Sequence, residues 1–463
     1  MMAAKLLRLL SLVSYFIALN SLPCVAESLV YSGSLVDSKV MSESRWAWSA
    51  TALGTQNIGS LSSEFNTFQS QFQLSSSFHS SSSQLDLQLD YVPQDSASQP
   101  YVHLPQAYYQ FRGDYFDLSF GRRTYQWSQM DEIFNIGVWQ PQYRRDFSRP
   151  KQEGFFGAFV GGENLHHKWQ LFVTPLFLPD NGAKFYQQDG QIKSGNIWFS
   201  RPVSQIEFQH KQTQVYYELE MPELREVILN PSVAINYQVG DRNQGWSLSS
   251  SLAYKPMNQI HLEIASPEFM IQSTQSQVGV KIFPKAIYHT VTAMDLIHQG
   301  PQHRGFISIM YDRPVKNEIP EDWQQSPLYE SRFFGGGLEL FITSQTHFLI
   351  GGFARQDTYP PKQKKEIDAD VESSFDRYPF TQAIQLQVKH KWKDRWLASA
   401  QSIVSTQDKG SLITLDLGYN LKANLDLLFQ STFVTSWAGD EDSKFFNKYR
   451  QNDTLALGAR YVF

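Results

Sequence analysis

Asp453-Thr-Leu-Ala-Leu-Gly-Ala-Arg-Tyr-Val-Phe463 ends the chain. Leu455, Leu457, Ala459, Tyr461 and Phe463 share one face, and Thr454, Ala456, Gly458 and Arg460 take the other. A period of two is that of a β-strand with one apolar face. Working back along the chain, the same code recurs. In 413–421, Ile413, Leu415, Leu417, Tyr419 and Leu421 alternate with Thr414, Asp416, Gly418 and Asn420. In 384–392, Ile384, Leu386, Val388, His390 and Trp392 alternate with Gln385, Gln387, Lys389 and Lys391. Leu85, Leu87, Leu89 and Tyr91 alternate with Asp86, Gln88 and Asp90, and Ile260, Leu262 and Ile264 with His261 and Glu263. A soluble β-sandwich shows the same alternation, so the period alone leaves both architectures open.

Composition narrows the choice. Charged residues are only 18%, below the usual share of about 25%. Aromatics reach 14%, with 33 Phe, 22 Tyr and 11 Trp, while mean hydropathy is −0.37. Disorder needs high charge and few aromatics, so it is excluded. A helical membrane protein is excluded too, because there is one apolar run and it is short. That run, Leu9–Leu19, follows Lys5 and Arg8 and precedes Pro23-Cys-Val-Ala26. This is the layout of a signal peptide cleaved after Ala26, with 27–44 as a short N-terminal extension. Removing 26 residues that carry two cations and no acid leaves 437 residues and moves the net charge from −5 to −7. Cys24, the only cysteine, leaves with them, so no disulfide holds the mature chain. There is no basic block for nucleic acid.

Runs of about 8–14 residues place 22 strands from residue 45 to the end, four of them at 192–210, 212–222, 258–267 and 275–284. Six long connections, 93–103, 124–152, 176–191, 313–329, 357–379 and 435–453, each follow an odd-numbered strand, and the others are short. Short turns at one end and long loops at the other are the pattern of a transmembrane antiparallel β-barrel with an even strand number. Fusing neighbours in pairs preserves the parity, so the expectation is an all-β barrel of 18–22 strands over 45–463. Trp46, Trp48, Tyr91, Tyr108, Tyr109, Trp198, Phe199, Tyr216, Tyr217, Trp392, Trp396 and Phe433 lie toward strand ends, where amphipathic rings settle at lipid headgroups.

Two stretches carry a family resemblance. The terminal strand, ending in Tyr461 and Phe463, resembles that of bacterial outer-membrane barrels, in which it is the signal read by the barrel assembly machinery. Arg112-Gly-Asp-Tyr-Phe-Asp-Leu-Ser-Phe-Gly-Arg-Arg123 resembles the fifth strand of Gram-negative porins. In those porins the following loop folds inward and narrows the pore. The close likeness covers some forty residues, and porins of that general type have 16 strands. The Gly-Arg element before an aromatic loop is also similar to alginate-export channels. The resemblance implies a channel with an inward loop after strand 5, in the outer membrane of a Gram-negative bacterium, touching lipid and lipopolysaccharide.

On this reading the constriction holds Arg122, Arg123, Asp131, Glu132, Arg144, Arg145 and Asp146, with Arg149 and Lys151 set back. Trp127, Phe134, Trp139, Tyr143 and Phe147 make the loop too aromatic for full solvation. Asp86, Asp90, Glu263, Lys389, Lys391 and Asp416 are expected to face the lumen. Glu366, Asp368, Asp370, Glu372 and Asp376 lack the turn glycine of a calcium loop and read as a solvated stretch. The histidines have no metal-ligand spacing, and no hydrolase or phosphate-loop motif is present. No enzyme activity, cofactor or metal is implied. The function expected is passive diffusion of small hydrophilic solutes or ions. Export of an anionic polysaccharide and a surface adhesin or structural barrel stand as alternatives.

Overall fold

The computed structural model describes residues 45–463 except 59–67, 81, 93–100, 114–115, 200–201, 203, 209, 221, 242–243, 266–267, 273–274, 316–322, 326–327, 359–377, 394 and 439–444. The expected signal peptide, the expected N-terminal extension and the acidic stretch Glu366–Asp376 lie outside the described residues.

Eighteen strands form the wall: β1 Arg45–Asn57, β2 Phe68–His79, β3 Ser83–Tyr91, β4 Tyr101–Arg112, β5 Asp117–Arg123, β6 Phe155–Glu163, β7 His167–Thr174, β8 Ser232–Gly240 and β9 Gly245–Pro256 make the first half. The second half is β10 Tyr288–Gln299, β11 His303–Pro314, β12 Glu330–Thr343, β13 Thr346–Thr358, β14 Gln382–Trp392, β15 Trp396–Ser405, β16 Gly410–Lys422, β17 Leu425–Ser436 and β18 Thr454–Val462. Each pairs antiparallel with its neighbour in sequence, and β18 returns to β1 with Ala52 opposite Ala459. The ring is closed, so the wall presents no edge. Every turn after an even strand has two to four residues; connections after odd strands reach 57 residues, over 175–231.

Burial sorts the two faces. On β16, Ile413, Leu415 and Leu417 are exposed, whereas Leu412 and Thr414 are buried. Phe72, Leu74, Ile235, Leu252, Met294, Ile307, Ile309, Ile350 and Ile384 are exposed in the same way. The buried face carries Ser76, Asp90, Asn236, Ser251, Asp295, Ser308, Asp312 and Gln385. Apolar outside and polar inside is the surface of a barrel built for a bilayer. Exposed Trp46, Trp48, Tyr109, Trp246, Trp392 and Trp396 ring the short-turn end, and Tyr91, Tyr254 and Trp437 stand at the loop end. Leu457 is 65% exposed, which puts Tyr461 and Phe463 on the outward face, with their rings 4.9 Å apart.

The strand count is the lowest of the expected range, for a definite reason. The four extra alternating runs, 192–210, 212–222, 258–267 and 275–284, are not wall. They contribute to a six-stranded sheet outside the ring, made of Gln205–Phe208, Lys211–Leu219, His261–Ala265, Glu268–Gln272, Gln275–Lys285 and Trp323–Gln325. Lys211–Leu219 pairs parallel with Gln275–Lys285, an arrangement that an up-and-down wall does not contain. Its strands come from the connections after β7, β9 and β11, so the sheet belongs to the loop end. Four aromatics assigned above to the headgroup level also lie away from it. Trp198 is buried with its ring 5.4 Å from Tyr449, Phe199 stacks on Phe185, and Tyr216 and Tyr217 sit in the loop-end sheet.

Candidate pore constriction

The segment 124–154 after β5 opens with a short helix, α1, over Gln129–Phe134. It ends at Asn135 in the left-handed region, followed by Gly137 at φ +83°. A side chain at Gly137 would run into the Arg144 guanidinium, so both backbone and space require glycine there. Asp131 then locks the reversal: its carboxylate accepts the backbone N–H groups of Gly137, Val138 and Trp139 at 2.9, 3.0 and 3.1 Å. Trp127 and Trp139 stack 5.6 Å apart, and Trp127 packs on Phe155 and Phe172.

Anchors run from this segment to strands all round the wall. Tyr125 Oη donates to Asn236 Oδ1 on β8 at 3.0 Å, and Ser251 Oγ on β9 donates to the Trp127 carbonyl at 2.6 Å. The Gln129 N–H donates to Asp295 on β10 at 3.1 Å, and Arg304 on β11 bonds the Gln129 side chain. Gln385 on β14 donates to the Ile133 carbonyl at 3.4 Å. Farther along, Arg149 bonds Asp416 on β16 at 2.8 and 3.1 Å and the Ser431 carbonyl on β17 at 2.8 Å. Tyr143 Oη donates to Asp90 at 2.8 Å and Lys151 Nζ to Gln88 at 3.0 Å, both on β3. Strands β8 and β17 are nine apart in a ring of eighteen, so these bonds reach opposite sides of the enclosed space.

The charges named from sequence have specific partners. Arg122 pairs with Glu153 at 2.7 Å and donates to the Gly154 carbonyl. Arg123 bonds Ser119 Oγ at 2.8 Å and lies 3.7 Å from Asp117. Arg144 is buried: it donates to Gln142 Oε1 and the Ile136 carbonyl and faces Asp180 at 3.6 Å. Asp146 accepts from Ser148. Arg145 is half-buried, its guanidinium 5.2 Å above the Tyr101 ring, while Glu132 and Lys151 are exposed. Asp86, Asp90, Lys389, Lys391 and Asp416 lie on the inward-facing register of their strands. Glu263 does not share the wall: it sits on His261–Ala265 of the loop-end sheet, fully buried beside Lys285 at 2.5 Å.

A second stretch, 176–199, lies against the first. Asn181 Nδ2 donates to the Val102 carbonyl, Asn196 Nδ2 to the Arg145 carbonyl, and the Gln142 N–H donates to Asp180 Oδ1. Asn258 Nδ2 donates to the Gly137 and Val138 carbonyls. Burial pushes the carboxyls of Asp131 and Asp180 up, opposed by the N–H donors around Asp131 and by Arg144 beside Asp180. Glu153, Asp180, Asn196 and Asn258 carried no sequence signal, since nothing local marks a residue whose partner is distant in the chain. Among the described residues no group of three His, Cys, Asp or Glu is placed to hold a metal.

No family model and no curated protein matches the chain. Solved structures similar to it include Acinetobacter baumannii OccAB4, at 10% identity and TM-score 0.47 over 92% of this chain and 100% of that one. Pseudomonas aeruginosa OccK11 (OpdR) aligns at 10% identity and TM-score 0.45 over 91% and 96%. A BenF-like porin from Pseudomonas fluorescens Pf-5 aligns at 9% and 0.45 over 91% and 99%. The barrel itself is established by the strand registers of this chain.

Proposed function

We propose that this protein is an outer-membrane channel for passive diffusion of small hydrophilic solutes or ions, narrowed by segment 124–154. The observation that carries the reading is the inside-out wall: exposed aliphatic rows around a closed ring whose inner face carries buried polar and charged residues beside the apolar ones that pack on segment 124–154. Lipid supplies no hydrogen-bond partners, so only a closed sheet spans it, and polar inner rows keep an aqueous path wet. Charges beside a constriction set the field a solute feels, and aromatic rings there offer sliding surfaces. Arg122, Arg144 and Arg149 each sit beside a carboxylate, so Arg145, Lys151, Glu132 and Asp146 hold the segment's remaining exposed or half-buried charge. Two exposed or half-buried cations, Arg145 and Lys151, against two acids, Glu132 and Asp146, balance, so the segment's own charge favours neither sign of ion. The test is single-channel recording in a planar bilayer with reversal potentials across a KCl gradient. Ohmic pores support the channel, and a folded barrel that passes no current refutes it.

A further inference from the structure

Five glycines thin the wall at one place. Gly335, Gly336 and Gly337 on β12 stand opposite Phe353, Gly352 and Gly351 on β13. Gly335 and Gly351 share the inward register of buried Phe333, Leu349 and Phe353. Helix α1 occupies that hollow. Met130 is fully buried, and a Cβ on Gly335 would stand 2.7 Å from its Sδ. A Cβ on Gly351 would stand 3.0 Å from Phe134 Cζ, and the Phe134 ring lies 5.1 Å from that of Phe353. The helix is only six residues long and Ser128 makes no side-chain cap bond, so its placement depends on packing and on its hydrogen bonds to β10, β11 and β14. Close-packed side chains transmit a displacement of one methyl rather than absorb it.

We infer that Gly335 and Gly351 are positioning residues: the hollow they leave sets how far α1 stands off the wall, and so the width of the passage beside it. This rests on the channel reading. A methyl at either site lifts α1 away from β12 and β13 toward the lumen, carrying exposed Glu132 with it. The same methyls also meet wall backbone, Gly352 O and Gly336 O, each at 2.8 Å, so the test has to separate helix from wall.

The experiment compares Gly335→Ala and Gly351→Ala with the same changes combined with Met130→Ala or Phe134→Leu. Gly305→Ala, whose nearest neighbours are 3.9 Å away, is the control. The expected result is about a twofold fall in conductance for each single glycine variant, because pore width governs conduction, and recovery in each double variant. Wild-type conductance in the single variants, or a fall that helix truncation does not rescue, overturns the inference. Should the glycine variants fail to give the heat-modifiable folded form, Phe134→Ala alone, which leaves the wall intact, must raise conductance; no change overturns it. A wild-type barrel that never conducts refutes the channel instead. In that case the distance between spin labels at Glu132→Cys and Glu339→Cys, two carboxylates that both face Arg304, reads the helix position. It must lengthen with Gly335→Ala and recover with Met130→Ala, and an unchanged distance refutes the positioning role.

Discussion

Strand β16 and the loop-end strand Lys211–Leu219 obey the same period of two with opposite exposure. On β16 the exposed row is Ile413, Leu415 and Leu417, and the buried row includes Thr414. On Lys211–Leu219 the exposed row is Gln212, Gln214 and Glu218, and Val215 is buried. Alternation reports that a strand has two environments, not which of them is solvent. On the channel reading lipid surrounds the wall, so its apolar row faces outward, and water surrounds the loop-end sheet, so its apolar row turns inward.

The comparison is sharpened most by the third environment, the barrel interior, where charges are buried in pairs. Arg144→Ala leaves Asp180 buried without its cation, a loss of about 3–5 kcal/mol. Hydrogen exchange of the 124–154 amides is expected to rise, and unchanged protection would mean that the pair does not hold the segment. Next comes the wall. Leu415→Arg at mid-strand is expected to cost about 2–4 kcal/mol in urea titrations from bilayers. If it costs less than a matching arginine at a half-buried inward site such as Asn420, the register of β16 is inverted. Val215→Asn buries an amide in the loop-end sheet and is expected to cost about 1–3 kcal/mol there. Local exchange should report it while heat-modifiability of the barrel stays unchanged; loss of the barrel would make this strand part of the wall. Arg145→Ser removes a half-buried cation, so the reversal potential is expected to move toward cations with little change in stability. An unchanged reversal potential would place Arg145 away from the permeation path. The smallest effect belongs to Gln214→Arg, within about 0.5 kcal/mol because the residue meets water; a wall-sized loss would put lipid beside it.

The architecture was legible because it is written in local period and parity. Leu455 to Phe463, Ile413 to Leu421 and Ile384 to Trp392 each carry their own alternation, and long connections after odd strands needed only counting. The strand number was not legible, since 212–222 and 275–284 alternate as well as any wall strand and only their parallel pairing excludes them. Arg122, Asp131 and Arg144 were recognised as charges in an aromatic loop, but their roles were not.

By itself the sequence determined a signal-like start, an alternating chain with few charges, and a segment after β5 too aromatic to be fully solvated. These follow from neighbours within a few residues, which any register preserves. Tertiary structure alone decided that 18 strands close the ring, that Glu263 leaves the wall, and that Arg149 meets Asp416 across 267 residues of chain. It also decided that glycines on β12 and β13 receive Met130 and Phe134. The reason is physical: a buried charge or a packed side chain takes its partner from whatever the closed ring brings opposite it, and sequence spacing carries no record of that distance.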